Sequence, residues 1–280
     1  MKYYITKKIE AKSKAEARAK VEQLYNVIDK KCYAKQNGKK KQWAFFIVCE
    51  ANNKGEALIR FETNYGIKIS NENDINTVVK CNVDDTPAEW RLVNFSKESN
   101  QRFKRILYVG THITEKSIEA GIPYKQVIKG NIVNLSNNDF WPILSYVYDI
   151  EFSNNPNELI NQCHYYNIGL VDLIGECECF GSADNAIIEG TETQNPYFLK
   201  ILEENNFDYI VFNVNSTYKK FEKMYSNVII DQNRIIEDLI STSGAAQSKG
   251  SGKNKKVYSK ERKDKEKEWK NAIDLLQGKK

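Results

Sequence analysis

Two stretches of this 280-residue chain hold side chains able to do chemistry, and both lie between residues 105 and 141. The first is Gly110-Thr111-His112, directly after the apolar run Ile106-Leu107-Tyr108-Val109. A buried strand that ends at a glycine and empties into a loop is where open α/β sheets bind ligands, outside their carboxyl edge. A histidine in that loop can accept a proton from water or, once protonated, stabilise a departing anion. The second is Asn138-Asp139-Phe140-Trp141, which opens a helical pattern of Trp141, Leu144, Val147 and Tyr148. Asn138 offers a carboxamide to a ligand or a cap to that helix, and Asn137 and Asp139 compete with it for either role. Metal chemistry has less behind it. The six cysteines form no C-x-x-C pair, and the step from Cys177 to Cys179 suits neither a zinc knuckle nor an iron–sulfur cluster. His112 and His164 are the only histidines, and His164 lies on an apolar helical face, so no metal and no cofactor are expected.

The elements that must position these residues fall into two regions. Residues 1–95 read as a small α+β module. Tyr3–Thr6 reads as a strand, Ser13 caps a helix with Ala17, Val21, Leu24 and Ile28 on one face, and Trp43–Cys49 reads as a buried strand. A second helix follows at about 53–64, with Leu58, Phe61 and Tyr65 on one face. The helices look like copies at an offset of 40 residues, matching at Glu10/Glu50, Ala11/Ala51, Lys14/Lys54, Glu16/Glu56, Ala17/Ala57, Glu22/Glu62 and Tyr25/Tyr65. A β-then-α unit repeated in this way predicts a two-layer module built by duplication. Asn37–Lys41 reads as a basic hairpin turn, either a phosphate-contacting loop or a solvated one. Residues 96–280 alternate strands and helices, which predicts a three-layer α/β/α domain with a mostly parallel sheet.

The formal net charge of +5 permits nucleic acid without requiring it. The charge is uneven, with ten Lys or Arg in residues 248–270. No apolar run approaches the ~20 residues of a membrane span, and the first residues lack a signal-peptide core. A cytoplasmic protein with reduced cysteines is the expectation.

Seven short patterns in the second region occur in one order. They are the strand ending at Gly110; N-x-F-W at Asn138, Phe140 and Trp141; I-G-L-x-D-L at Ile168–Leu173; and G-S-x-D-x-x-I at Gly181–Ile187. The I-x-F-N strand Ile210–Asn213 with Tyr218, S-T-S-x-A at Ser241–Ala245, and K-x-x-x-W-x-x-x-I at Lys265, Trp269 and Ile273 complete the set. In these patterns the chain resembles the uracil-DNA glycosylase superfamily, most closely its hypoxanthine (deoxyinosine) glycosylase branch, over about 105–246 and 265–273.

The resemblance implies a monofunctional DNA glycosylase. Such an enzyme flips a nucleotide from DNA into a pocket, holds the base, and delivers water to C1′. It implies Asn138 as a catalytic residue and places His112 where relatives carry the acid or amide that orients the attacking water. Gly110, Thr111, Tyr124 and Phe140 become base-binding candidates, Tyr124 standing where relatives stack an aromatic on the base. Ser241, Thr242 and Ser243 match a loop that enters the minor groove, where small hydroxyl residues approach phosphate closely. After it comes an insertion at about 247–258, mobile by its Gly and Ser content, whose Lys249, Lys253, Lys255 and Lys256 suit phosphate contact. Asp172 and Asp184 read as loop braces. DNA is the implied partner, with no membrane and no metal; nothing identifies protein partners.

The chain departs from the family at three places. The G-x-(Asp/Asn)-P loop reads Gly110-Thr111-His112-Ile113, a polar segment Lys125–Ser136 replaces the H-P before N-x-F-W, and Gly244 stands for a proline. The motifs favour a deaminated base, hypoxanthine or uracil, and hence DNA repair. The altered first motif, the replaced pocket segment, the basic insertion and the additional amino-terminal module favour a bulky modified base, such as glucosylated hydroxymethylcytosine in bacteriophage DNA, and hence antiviral defence. A non-catalytic DNA-binding protein on the same scaffold is the reading of another class.

Overall fold

The 40-residue repeat folds as a pseudo-symmetric sheet. In the computed structural model, residues 1–25, 32–37, 42–86, 90, 102–136, 138–180, 187–242, 248–249, 256–257 and 262–278 are described. The chain divides into two units, Met1–Lys80 with Glu178–Gly190, and Cys81–Cys177 with Thr191–Lys280.

The amino-terminal unit runs β1 (Lys2–Glu10), α1 (Lys14–Tyr25), β2 (Cys32–Asn37), β3 (Gln42–Glu50), α2 (Lys54–Tyr65) and β4 (Asn76–Thr77). Its sheet has the order β2-β3-β1-β4. The central strands β1 and β3 pair antiparallel with Thr6 opposite Phe46, positions that the repeat offset of 40 makes equivalent. The duplication therefore forms the middle of the sheet. Each copy opens its helix with a reciprocal cap. Ser13 Oγ accepts from Glu16 N at 3.2 Å while Lys12 N donates to Glu16 at 2.8 Å. Asn53 Oδ1 accepts from Glu56 N at 2.9 Å while Asn52 N donates to Glu56 at 2.9 Å. One sheet face and both helices close over Tyr3, Ile5, Ala17, Val21, Phe45, Ile47, Phe61 and Tyr65. Leu24, expected on the inward face of α1, is 62% exposed, whereas Val21 before it is buried and Tyr25 after it packs against the core. Ile28 and the turn at 38–41 lie outside the described residues.

The strand β5 (Val79–Asn82) spans the boundary between the units, and the next strand of the second is β6 (Ile106–His112). There follow α3 (Glu115–Ala120), β7 (Lys125–Ile128), β8 (Asn131–Asn134), α4 (Phe140–Tyr148), α5 (Pro156–Tyr165) and β9 (Ile168–Ile174). After β10 (Glu176–Cys179) come α6 (Pro196–Glu204), β11 (Tyr209–Phe212), α7 (Asn215–Met224) and β12 (Ile235–Ile236). Two-residue strands β13 (Ser248–Lys249) and β14 (Lys256–Val257) precede α8 (Arg262–Leu276). The main sheet has the order β12-β11-β6-β9, all parallel.

Successive residues of β6 serve opposite cores, as the pleat demands. Ile106 and Tyr108 pack with Trp141, Leu144 and Val147 of α4, Leu159 of α5, and Trp269 and Ile273 of α8. Leu107 and Val109 pack with Phe198 and Ile201 of α6 and with Tyr218 and Phe221 of α7. Helices cover both faces, and the unit is a three-layer α/β/α domain. The chain runs from β6 to β9 on one side and then back across β6 to β11, so the strand order reverses at β6. That reversal is the point at which such sheets open a crevice beyond the carboxyl ends of the strands.

Two segments differ from the sequence expectation. The polar loop expected between Gly110 and Asn138 holds α3 and the antiparallel hairpin β7–β8, in which Lys125 faces Asn134. Its turn uses Lys129 and Gly130 at φ 52° and 78°, a left-handed pair that lysine hides from a sequence reading. The insertion at 247–258, expected as a mobile loop, pairs Ser248 with Val257 and Lys249 with Lys256.

Lys125 is itself buried, at 1% exposure. Its ammonium donates to Asn154 Oδ1 at 2.5 Å and sits 5.7 Å from the Trp141 ring. Burial lowers its pKa from 10.5 to about 8, with Glu151 opposing the shift. Between those pH values the unfolded chain binds more protons than the folded one, so stability must rise with pH. The expected gain is on the order of 2 kcal/mol between about pH 7.5 and 9.5. Thermal melts of wild type and Lys125→Met across that window check it, and the variant should lose most of the rise.

Candidate active site

Gly110 lies two residues from the end of β6, opposite Asp172 of β9. A Cβ at Gly110 would overlap both Asp172 Oδ1 and the Tyr124 hydroxyl, so only glycine lets the two oxygens close over this strand. The neighbouring strand supplies a third group. Asn213 follows β11; its backbone N–H donates to Val109 O at 3.1 Å, and its Nδ2 donates to the Tyr124 hydroxyl at 2.7 Å. Carboxylate, phenol and carboxamide thus meet at the carboxyl ends of three adjacent strands.

Tyr124 is held there by its surroundings. Its backbone has φ 60°, a conformation that costs a non-glycine residue roughly 1–2 kcal/mol. The following hairpin fixes it, since Leu135 N donates to Tyr124 O at 2.8 Å. Its ring packs on Phe140 with centroids 4.4 Å apart, and Trp141 Nε1 donates to Pro123 O at 2.7 Å. The Asp172 backbone is fixed as well, its carbonyl accepting from Asn195 Nδ2 at 2.7 Å at the start of α6.

These groups border a cavity of about 20 Å³ lined by Tyr124, Asp172, Tyr108, Trp90, Ile113 and Asn195, among others. That volume suits about one water molecule, for which roughly 10–15 Å³ is the minimum. Trp90 is 7% exposed, and its indole N–H has no hydrogen-bond partner among the described residues.

A second group of expected residues gathers at the start of α4. Asn138 Oδ1 accepts from Phe140 N at 2.9 Å, so its side chain makes the capping contact. Asp139 N donates to Thr242 O at 2.7 Å, which ties the segment Ser241–Thr242 to that helix start. The last helix secures both. Lys265 Nζ, 1% exposed, lies 3.1 Å from Asp139 Oδ2, and Trp269 Nε1 donates to Ile240 O at 2.8 Å. The three residues spaced by four along α8 thereby acquire a positioning role: Lys265 and Trp269 hold this junction, and Ile273 is buried in the core beneath it.

The remaining expected residues fall as follows. His112 closes β6 at 5% exposure, beside Cys177, and is not among the residues described as lining the cavity. Thr111, also buried, shares a 2.9 Å hydroxyl contact with Thr217 of α7. Phe140 is fully buried between Tyr124, Tyr108 and Trp141. Asn137, Asp184, Ser243, Lys253 and Lys255 lie outside the described residues, and Lys249 and Lys256 are described only as backbone of the two short strands. Asp172, read from sequence as a loop brace, lies opposite Gly110 on β9 and lines the cavity. The available signal was one acid inside the apolar strand Ile168-Gly169-Leu170-Val171-Asp172-Leu173-Ile174.

No family model and no curated relative matches the chain. A solution structure from Methanosarcina acetivorans, provisionally designated a uracil DNA glycosylase, is similar at 18% identity and a TM-score of 0.40. The similarity covers 64% of this chain and 94% of that one.

Proposed function

We propose that this chain is a DNA glycosylase of the uracil-DNA glycosylase superfamily that hydrolyses the N-glycosidic bond of a flipped, altered base and leaves an abasic site. The observation that carries the reading is the meeting of Asp172, Tyr124 and Asn213 over Gly110, beside a cavity of one-water size at the reversal of the strand order. Hydrolysis at C1′ needs a polar group to orient water and take its proton, and that is what a carboxylate at this position supplies. Asp172 takes that part in the proposal, in place of the acid or amide missing from Gly110-Thr111-His112-Ile113. Asn138 and the Trp90 indole N–H are donors for the negative charge that develops on the departing base. Tyr124 stacks on the base, and Ser241 and Thr242 meet phosphate beside it. His112, two residues beyond Gly110 on the same strand, is the alternative residue for orienting water.

The cavity is too small for a base, so entry requires the β7–β8 hairpin and Tyr124 to move together. The hairpin lies in the polar segment Lys125–Ser136 that replaces the family's H-P, which favours a second substrate reading: a bulky modified base rather than uracil or hypoxanthine. One panel separates the readings. DNA carrying uracil, hypoxanthine, hydroxymethylcytosine or glucosylated hydroxymethylcytosine is incubated with wild type and Asn138→Ala, and abasic sites are read as alkali-labile breaks. Release that falls at least ~100-fold in the variant supports the enzyme. Tight binding with no release from any member leaves a non-catalytic DNA-binding protein.

A further inference from the structure

We propose that the amino-terminal unit is a single-stranded DNA binding module whose open sheet face stacks bases on Tyr4 and Phe46. The helices cover only one face of β2-β3-β1-β4, which buries Tyr3, Ile5, Ile9, Phe45 and Ile47. The alternate residues point the other way. On that face Tyr4 and Phe46 are half-buried, Ala44 and Val48 are buried, and Thr6 and Lys8 are exposed. Tyr4 and Phe46 sit on the two central strands, with ring centroids 5.8 Å apart. The adjacent strand carries Tyr33 opposite Phe46 and Lys35 opposite Ala44. A four-stranded antiparallel sheet with aromatic side chains on its two central strands is an arrangement that stacks two or three unpaired bases.

Two independent observations point to this ligand. The first is charge. Residues 1–80 and 178–190 hold 17 Lys or Arg against 12 Asp or Glu, so this third of the chain carries its entire net charge of +5. Phosphates attract such a unit and release counterions on binding. The second is a ring already seated on the platform. Phe180 stacks on Phe46 with centroids 4.6 Å apart and planes 9° from parallel, and meets the Tyr4 ring edge-to-face with centroids 4.8 Å apart. Its backbone carbonyl accepts from the Tyr4 hydroxyl at 3.4 Å. Phe180 occupies the place a base would take, and an incoming strand displaces it. The ligand is DNA rather than RNA because the other unit is proposed to act on DNA. The binding itself does not depend on base release.

Fluorescence anisotropy of the full chain with a labelled oligothymidine of ~12 nucleotides tests this, a length that exceeds the two or three bases such a sheet stacks. Phe46→Leu and Tyr4→Leu, which keep apolar bulk and remove the ring, are each expected to weaken binding about tenfold. Phe180→Ala is expected to tighten it about threefold or more, since the platform is then free. Phe46→Tyr, which keeps a ring, should bind as wild type and serves if Phe46→Leu melts early. Affinity within twofold of wild type in both ring-removing variants overturns the proposal. So does equal or weaker binding by Phe180→Ala, or a higher affinity for oligouridine RNA or for duplex DNA.

Discussion

An Asp172→Asn protein is expected to release base about 10²–10⁴-fold more slowly than wild type while holding DNA as tightly. The substitution conserves size and leaves the Asp172 carbonyl bound to Asn195 Nδ2. It removes only the negative charge and the ability to accept water's proton. Tyr124→Phe should cost less, about tenfold, because it deletes the hydroxyl that Asn213 Nδ2 holds at 2.7 Å and leaves the carboxylate in place. Single-turnover release on the most reactive DNA of the panel, with affinity measured in parallel, separates chemistry from binding. If Asp172→Asn releases base within threefold of wild type, the water-orienting group is elsewhere. His112 is then the next residue to replace.

The second large effect is expected at Gly110. A Cβ there overlaps Asp172 Oδ1 and the Tyr124 hydroxyl at once, so Gly110→Ala must push one or both from the cavity wall. Overpacking of this kind costs roughly 1–3 kcal/mol of stability. The loss of base release should be larger than that cost implies, at least ~100-fold, because displacing reacting groups by an ångström is enough for such a loss. Gly169→Ala is the control. Its Cβ would meet the Phe207 ring at 2.9 Å and Leu107 at 3.0 Å, inside the other core. It should lower the melting temperature comparably and leave base release per folded molecule near wild type. Equal losses of activity in the two variants would mean that Gly110 matters only for folding.

Much of the molecule was legible without coordinates where local pattern and burial agree. The duplicated helix starts are written in Ser13/Glu16 and Asn53/Glu56, which satisfy the same backbone donors in both copies. The buried strands at Ile106–Val109 and Tyr209–Phe212 announce themselves as apolar runs, and with the intervening helices they imply a sheet covered on both faces. The hairpin β7–β8 was hidden because a lysine takes the left-handed turn position where Asn or Gly would have signalled it.

The site divides along the same line. The chain by itself determined that Gly110, Tyr124 and Asn138 are chemically notable and follow one another between a strand and a helix. It could not say which of Asp172 and His112 lies beside Tyr124 over Gly110, since both are single polar residues at or near the ends of apolar strands. Register decides that position. Parallel pairing sets Asp172 opposite Gly110 and His112 opposite Ile174. With no Cβ at position 110, the carboxylate can close toward Tyr124 and Asn213, which come from 48 residues upstream and 41 downstream of Asp172. Which side chains share a cavity is set by strand order and pleat, quantities that spacing along one chain does not contain.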